Sequence, residues 1–180
     1  MGAPAAGTAV HRILCVDHSG ERGAVAIYRM QMLAARLRCP DLLAFLADTL
    51  EHELGHMARF HELLRGRGLE PCPASGAWAF GGAVLGLLTG LIGRQAVLVC
   101  TEAVERTVHG HLLEQIATTA DTDPEVSRAI ADILQEEAAQ LAFARDRRAP
   151  AGWFDRWLDR LITGVTEGLI RLSVGAPARA

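Results

Sequence analysis

Four acidic residues in this chain carry the spacing of a metal site. Glu21 follows His18-Ser19-Gly20, and its helical face continues through Val25, Tyr28 and Met32. Glu53 and His56 lie within Glu51-His52-Glu53-Leu54-Gly55-His56, three residues apart and so on one side of a helix. Glu105 shares its face with Leu98, Thr101 and Leu112, and Glu137 is surrounded by Ile130, Ile133, Leu134 and Leu141. Each carboxylate thus falls on an apolar face, where a lone ionised group costs several kcal/mol even after relaxation (about 3–5 by the usual measure). Such a set needs neutralising partners. Four carboxylates carry four negative charges, which two divalent cations balance.

Glutamates from separate helices, with Glu-x-x-His motifs on two of them, form the di-iron or di-manganese pattern of ferritin-like bundles. Oxygen ligands with one imidazole per metal suit Fe(II) and leave positions open to O₂. The fourth helix departs from the pattern. It reads Glu137-Ala138-Ala139-Gln140, so an amide oxygen stands in place of an imidazole nitrogen. His109, four residues after Glu105, is the alternative source of that imidazole. His52 and His61 read as solvent-side, and His111 as either exposed or orienting a ligand. By 100° per residue, Glu51, Glu102 and Glu136 point away from the ligand faces and read as ion-pairing groups. The bland alternative is a helical bundle with no site, since a single Glu-x-x-His arises readily by chance.

The elements that must position these groups are all helical. The 180 residues suit one domain, half are hydrophobic, and Ala, Leu, Arg and Glu abound. No stretch alternates with period two, so no sheet is expected. Asp17 or Ser19 is the expected cap of a first helix ending near Arg38, before Cys39-Pro40. A second helix is expected from Asp41 to about Arg67, and a third, long one from Ala77 to about Ala120. A fourth runs from Pro124, behind Asp123, to Arg147, and a last covers Trp153 to Ser173. The expected organisation is a flexible N-terminus over 1–10, an all-α, ferritin-like four-helix bundle over 11–148, and an amphipathic C-terminal helix with a tail over 149–180.

Composition excludes other classes. A net charge of −3 argues against nucleic-acid binding. Cys15, Cys39, Cys72 and Cys100 are too far apart for a zinc knuckle and read as reduced thiols. Residues 1–10 lack the features of a secretory signal. From Pro71 to Gly93 the chain is uncharged, with Gly82, Gly86 and Gly90 spaced by four. That stripe admits another helix or a lipid chain, and the segment reads as a buried bundle helix or as a lipid-contacting one. The last helix gathers Trp153, Phe154, Trp157, Leu158, Leu161, Ile162, Val165 and Leu169 on one side. It suits either a bilayer interface or the cap of a bundle.

The block Arg12-Ile13-Leu14-Cys15-Val16-Asp17-His18-Ser19-Gly20-Glu21-Arg22-Gly23-Ala24 resembles the RVDHxGExGA opening of the 5-demethoxyubiquinone hydroxylase family. Ile27-Tyr28-Arg29-Met30-Gln31 continues the likeness. So do Glu53-Leu54-Gly55-His56 with Phe60, the Gly-rich run Gly86–Gly93, and Cys100-Thr101-Glu102-Ala103-Val104-Glu105. The resemblance covers roughly residues 11 to 147. It implies a monooxygenase that hydroxylates the ring of a demethoxy-ubiquinone precursor with O₂, two Fe ions and electrons for which NADH is a candidate source. It implies that Glu21, Glu53 and His56 bind one iron and Glu105 and Glu137 the other, with Glu53 and Glu137 bridging. It also implies a polyprenyl quinone substrate and peripheral association with the cytoplasmic face of the cell membrane. Other ubiquinone-biosynthesis proteins are the implied partners. Gln140 replaces the family's second ligand histidine, and Leu112 follows His111 where many members have Tyr. Those departures keep a second reading open: a catalytically impaired quinone- or lipid-binding accessory protein on the same fold. A ferritin-like iron-storage bundle is a further alternative, disfavoured by the uncharged stretch and the Trp-led helix.

Overall fold

The computed structural model describes residues 6–175, and their fold is all helical, with no strand among them. The helices are α1 (Ala6–Arg38), α2 (Leu43–Gly66), α3 (Ser75–Ile92), α4 (Arg94–Thr119), α5 (Pro124–Arg147) and α6 (Trp153–Gly175). A single 3₁₀ turn, Pro40–Leu42, precedes α2. Helices α1, α2, α4 and α5 form the ferritin-like bundle. Helix α3 lies along α1, and α6 lies across α4 and α1.

Two expected boundaries differ. Helix α1 starts at Ala6, well before the caps expected at Asp17 or Ser19, and takes in residues 6–10, part of the N-terminus expected to be flexible. Residues 1–5 lie outside the described residues. The reason is packing: Val10 and Leu14 are buried with Phe60, Leu64, Leu112, Val126 and Ile130. Ser19 is mid-helix and turns its hydroxyl back to the Cys15 carbonyl at 2.7 Å, a local bond that satisfies it without ending the helix. The second difference is a break in the long helix expected over 77–120. Gly93 has φ +122°, a conformation that side chains rarely tolerate, so α3 stops at Ile92 and α4 starts at Arg94.

Three smaller features set the architecture. Asp123 caps α5 as expected, accepting from the Val126 amide at 3.1 Å. Asp41 does not cap α2; it pairs with Arg94 at 2.9 Å. The glycine stripe of α3 is a helix-packing seam: a Cβ on Gly86 would stand 2.2 Å from the Ile27 carbonyl oxygen of α1. The other side of α3 is exposed and apolar, with Phe80 74% exposed alongside Val84, Leu88, Leu91 and Ile92. By length and composition α3 could cross a membrane.

The apolar face of α6 divides. Leu158, Ile162 and Ile170 are buried, whereas Trp153, Trp157, Leu161 and Val165 face outward. Trp78 of α3 donates to Ser173 Oγ at 2.9 Å and packs with Val16 and Ile170, pinning the C-terminal half of α6 to the bundle. All four cysteines are buried and free.

Candidate metal centre

Helical periodicity turns one acidic face of each bundle helix inward. Glu21 on α1, Glu53 and His56 on α2 and Glu137 on α5 each offer a ligand atom, all within 4.8 Å of one another. Glu53 is completely buried, and Glu21, His56, Glu105, Glu137 and Gln140 are nearly so. The His56 Nδ1 lies 3.5 Å from Glu137 Oε1 and 3.9 Å from Glu21 Oε2. Glu105 on α4 adjoins this group, its charge acting on Glu53 and its carboxyl hydrogen-bonding with Glu137, and it accepts a hydrogen bond from the Tyr28 hydroxyl.

The electrostatics follow from putting these acids together in a dry interior. Burial raises the Glu53 carboxyl to about 7, with the Glu105 charge pushing the same way. Burial, then the Glu53 charge, raises Glu137 to about 8. Glu21 and Glu105 stand well above the ordinary carboxylate range. Burial is the first cause for both. Repulsion follows, from Glu53 and Glu137 for Glu21 and from Glu137 for Glu105. Among the described residues, no Arg pairs with any of these four carboxylates.

The donor set fits a metal. Both oxygens of Glu53, Oε2 of Glu137, Nδ1 of His56 and the amide oxygen of Gln140 are buried lone-pair atoms without a hydrogen-bond partner among the described residues. Leaving that many polar atoms unmatched is costly unless a cation takes them up. The His56 Nε2 lies 3.0 Å from Glu136 Oε2. A carboxylate there is an acceptor only, so Nε2 carries the proton and the Nδ1 lone pair points at the acids, as in a carboxylate–histidine–metal relay.

The other candidates separate. Gln140 reaches the cluster beside Glu53, where its amide offsets part of that carboxyl's upward shift. His109 does not join the group of potential ligands. His111 does not orient a ligand: its Nε2 lies 3.2 Å from Glu167 of α6. His52 and His61, expected on the solvent side, are half-buried; the His61 ring lies tilted against His18 at 5.5 Å and the His52 ring stacks near His56 at 6.5 Å. Glu102 ion-pairs as expected, with Arg106, Arg145 and Arg148. Sequence reasoning missed two roles. Tyr28 is seven residues, or two turns, after Glu21, a spacing that does signal a shared face. Glu136, read as pointing away, reaches His56 from the outside of the bundle, and nothing in the spacing indicates that.

A cavity of about 340 Å³ opens onto the cluster from between α1, α3, α4 and α6. Glu21, Glu53, Glu105 and Glu137 line its inner end. Its walls are apolar, including Ile27, Leu85, Val108, Ile162 and Leu169, and they continue outward to Phe80, Val84, Leu88, Leu161 and Val165.

The sequence model of a family described as ubiquinone biosynthesis protein COQ7 matches residues 8–173. The chain is 31% identical over 153 residues to the 3-demethoxyubiquinol 3-hydroxylase of Rhodospirillum rubrum, covering 83% of this chain and 72% of that protein. It is 32% identical over 128 residues to the mitochondrial NADPH-dependent 3-demethoxyubiquinone 3-hydroxylase of Mus musculus, covering 71% and 58%. It is 34% identical over 110 residues to the mitochondrial 5-demethoxyubiquinone hydroxylase of Saccharomyces cerevisiae, covering 61% and 47%. The chain thus spans about half to three quarters of the length of these relatives.

Proposed function

The chain belongs to the ubiquinone biosynthesis protein COQ7 family, and on that premise we propose that it is a di-iron monooxygenase that hydroxylates the ring of a demethoxyubiquinone-type precursor. The observation that carries the reading is the apolar cavity that ends on a buried cluster of carboxylates. An apolar ring with an isoprenoid tail suits such walls, and hydroxylation suits such a floor. In balance, substrate, O₂, two electrons and two protons yield the hydroxylated ring and water. The electrons come from a nicotinamide cofactor, NADH or NADPH; the mouse relative is named NADPH-dependent.

Glu21, Glu53 and His56 are the residues that would hold one iron, and Glu105, Glu137 and Gln140 those that would hold the other. Bound there, the iron pair supplies redox equivalents and activates O₂. The rest is the work of the chain. Glu136 holds His56 in the tautomer that leaves Nδ1 free. The Tyr28 hydroxyl orients Glu105. Apolar side chains of α1, α3, α4 and α6 exclude water and position the ring over the acids.

The same reading makes the protein peripheral to a membrane, at the cytoplasmic face of the cell membrane, where other ubiquinone-biosynthesis proteins are its partners. The mouth of the cavity is flanked by exposed Phe80, Val84 and Leu88 of α3 and Leu161 and Val165 of α6. Trp153 and Trp157 continue the α6 face outward, as amphipathic rings do at a headgroup boundary. A tail entering between α3 and α6 would come directly from lipid.

The test is single-turnover chemistry. Protein loaded anaerobically with Fe(II) is given a decyl-tailed methoxy-methyl-hydroquinone and isotopically heavy O₂. A product that gains one heavy oxygen supports the reading; unchanged hydroquinone overturns it. The accessory-protein reading is favoured by Gln140, whose neutral amide stands in place of an imidazole. Bound hydroquinone with no product would favour that second reading.

A further inference from the structure

Apart from the acids at its floor, the cavity is almost wholly apolar, yet one wall carries a polar pair. Asp17 of α1 and Gln115 of α4 both line it, and Gln115 Nε2 donates to Asp17 Oδ1 at 2.8 Å. Asp17 is more than nine-tenths buried. The second oxygen of Asp17 and the amide oxygen of Gln115 are both buried and have no partner. An isolated pair of that kind destabilises the fold, because each unmatched buried polar atom costs about 1–3 kcal/mol. His111, which also lines the cavity, is engaged with Glu167.

Position gives the pair a use. Asp17 and Glu21 are four residues apart on one face of α1, about 6 Å along the helix axis, roughly the width of one substituted aromatic ring with its oxygens. A ring whose one edge meets the carboxylates therefore brings its opposite edge to Asp17 and Gln115. We propose that the Asp17–Gln115 pair hydrogen-bonds a ring oxygen of the substrate and so sets which ring carbon faces the carboxylate cluster. A phenolic hydroxyl donates to Gln115 Oε1 and accepts from the protonated Oδ2 of Asp17. Burial raises that carboxyl to about 7, with the Gln115 amide pulling the other way, which keeps a proton available near neutrality. These are positioning residues, and the inference rests on the quinol reading above.

The experiment compares equilibrium binding of two probes to the full chain under anaerobic conditions. One is the decyl-tailed methoxy-methyl-hydroquinone; the other is the matched decyl methoxytoluene that lacks both ring hydroxyls. The native chain is expected to prefer the hydroquinone about tenfold, the value of one good buried hydrogen bond. The double variant Asp17→Leu with Gln115→Met replaces both partners by apolar groups, so it is expected to fold and to melt no lower than the native chain. Its preference should vanish through loss of hydroquinone affinity, with methoxytoluene affinity kept or improved. Asp17→Asn, which keeps hydrogen-bonding capacity, should restore most of the preference. A tenfold preference that survives in the double variant overturns the inference and leaves the quinol reading standing. Failure of the native chain to bind either probe overturns both.

Discussion

Glu102 and Glu105 are three residues apart on α4, and both are buried. Glu102 turns toward Arg106, Arg145 and Arg148. Glu105 turns toward Glu53 and Glu137 and accepts from a tyrosine hydroxyl. The first carboxylate is neutralised by the protein's own guanidinium groups. The second belongs to a set of four acids that the protein does not neutralise, and their pKa values rise accordingly. Burying a charge is therefore no mark of a site by itself. Burying several like charges with unpartnered oxygens is, because only protons or cations then make the arrangement tolerable.

The sharpest way to break this contrast is to neutralise one acid on each side. Glu53→Gln is expected to weaken Fe(II) or Co(II) binding more than about a hundredfold, since losing even an outer partner costs 10–100-fold. The same variant should melt higher than the native chain when both are metal-free at pH 8. Glu102→Gln should leave metal affinity unchanged and lower stability by about 2 kcal/mol, between the values for exposed and buried pairs. Anaerobic titration and thermal melts read both. A Glu102→Gln chain that loses metal, or a Glu53→Gln chain that keeps it, would erase the distinction.

Gln140→His sharpens the acid side. An imidazole there is expected to tighten the weaker metal position by about 10–100-fold, seen as a second equivalent of Co(II) binding at lower concentration. Equal affinities in the two chains would mean that the amide ligates as well as an imidazole. Glu136→Gln should have a smaller effect, about tenfold on the first equivalent. An amide can donate to Nε2 and so favour the tautomer that withdraws Nδ1 from the acids; unchanged affinity would remove Glu136 from the site.

The mildest probe is pH. Between pH 6.5 and 8.5 the unfolded carboxyls are ionised, while the folded metal-free chain still holds protons on Glu53, Glu137 and their neighbours, at about 7 and 8 for the first two. The folded state binds more protons, so its stability falls as pH rises through this window. Metal displaces those protons, so metal affinity rises over the same range. A metal-free melting temperature that is flat or climbs from pH 6.5 to 8.5 would contradict the clustered-acid arrangement.

Much of the candidate site is legible in the residue spacing. Glu21, Glu53, His56, Glu105 and Glu137 stand on apolar helical faces, and an acid on an apolar face is a conflict visible in the spacing alone. The α3–α4 break was not legible, because Gly93 sits among other glycines that are helical. Nor was the early start of α1, since Val10 and Leu14 are helical for the sake of partners on α2, α4 and α5. The Gly82, Gly86 and Gly90 stripe announced a close approach without saying to what; α1 turned out to be the answer. Asp17 read as a cap and is instead a buried polar group in a cavity wall.

What the amino-acid order determined alone is an all-helical chain, which residues share each helical face, and a surplus of inward acids. Those are consequences of the 3.6-residue period and of charge counting, both local properties. Only the tertiary structure decided that Glu136 steadies His56, that Tyr28 serves Glu105, that Asp17 meets Gln115, and that α3 and α6 wall a cavity above the acids. Contacts between helices depend on their crossing, depth and axial register, and no single helix encodes those in its own period.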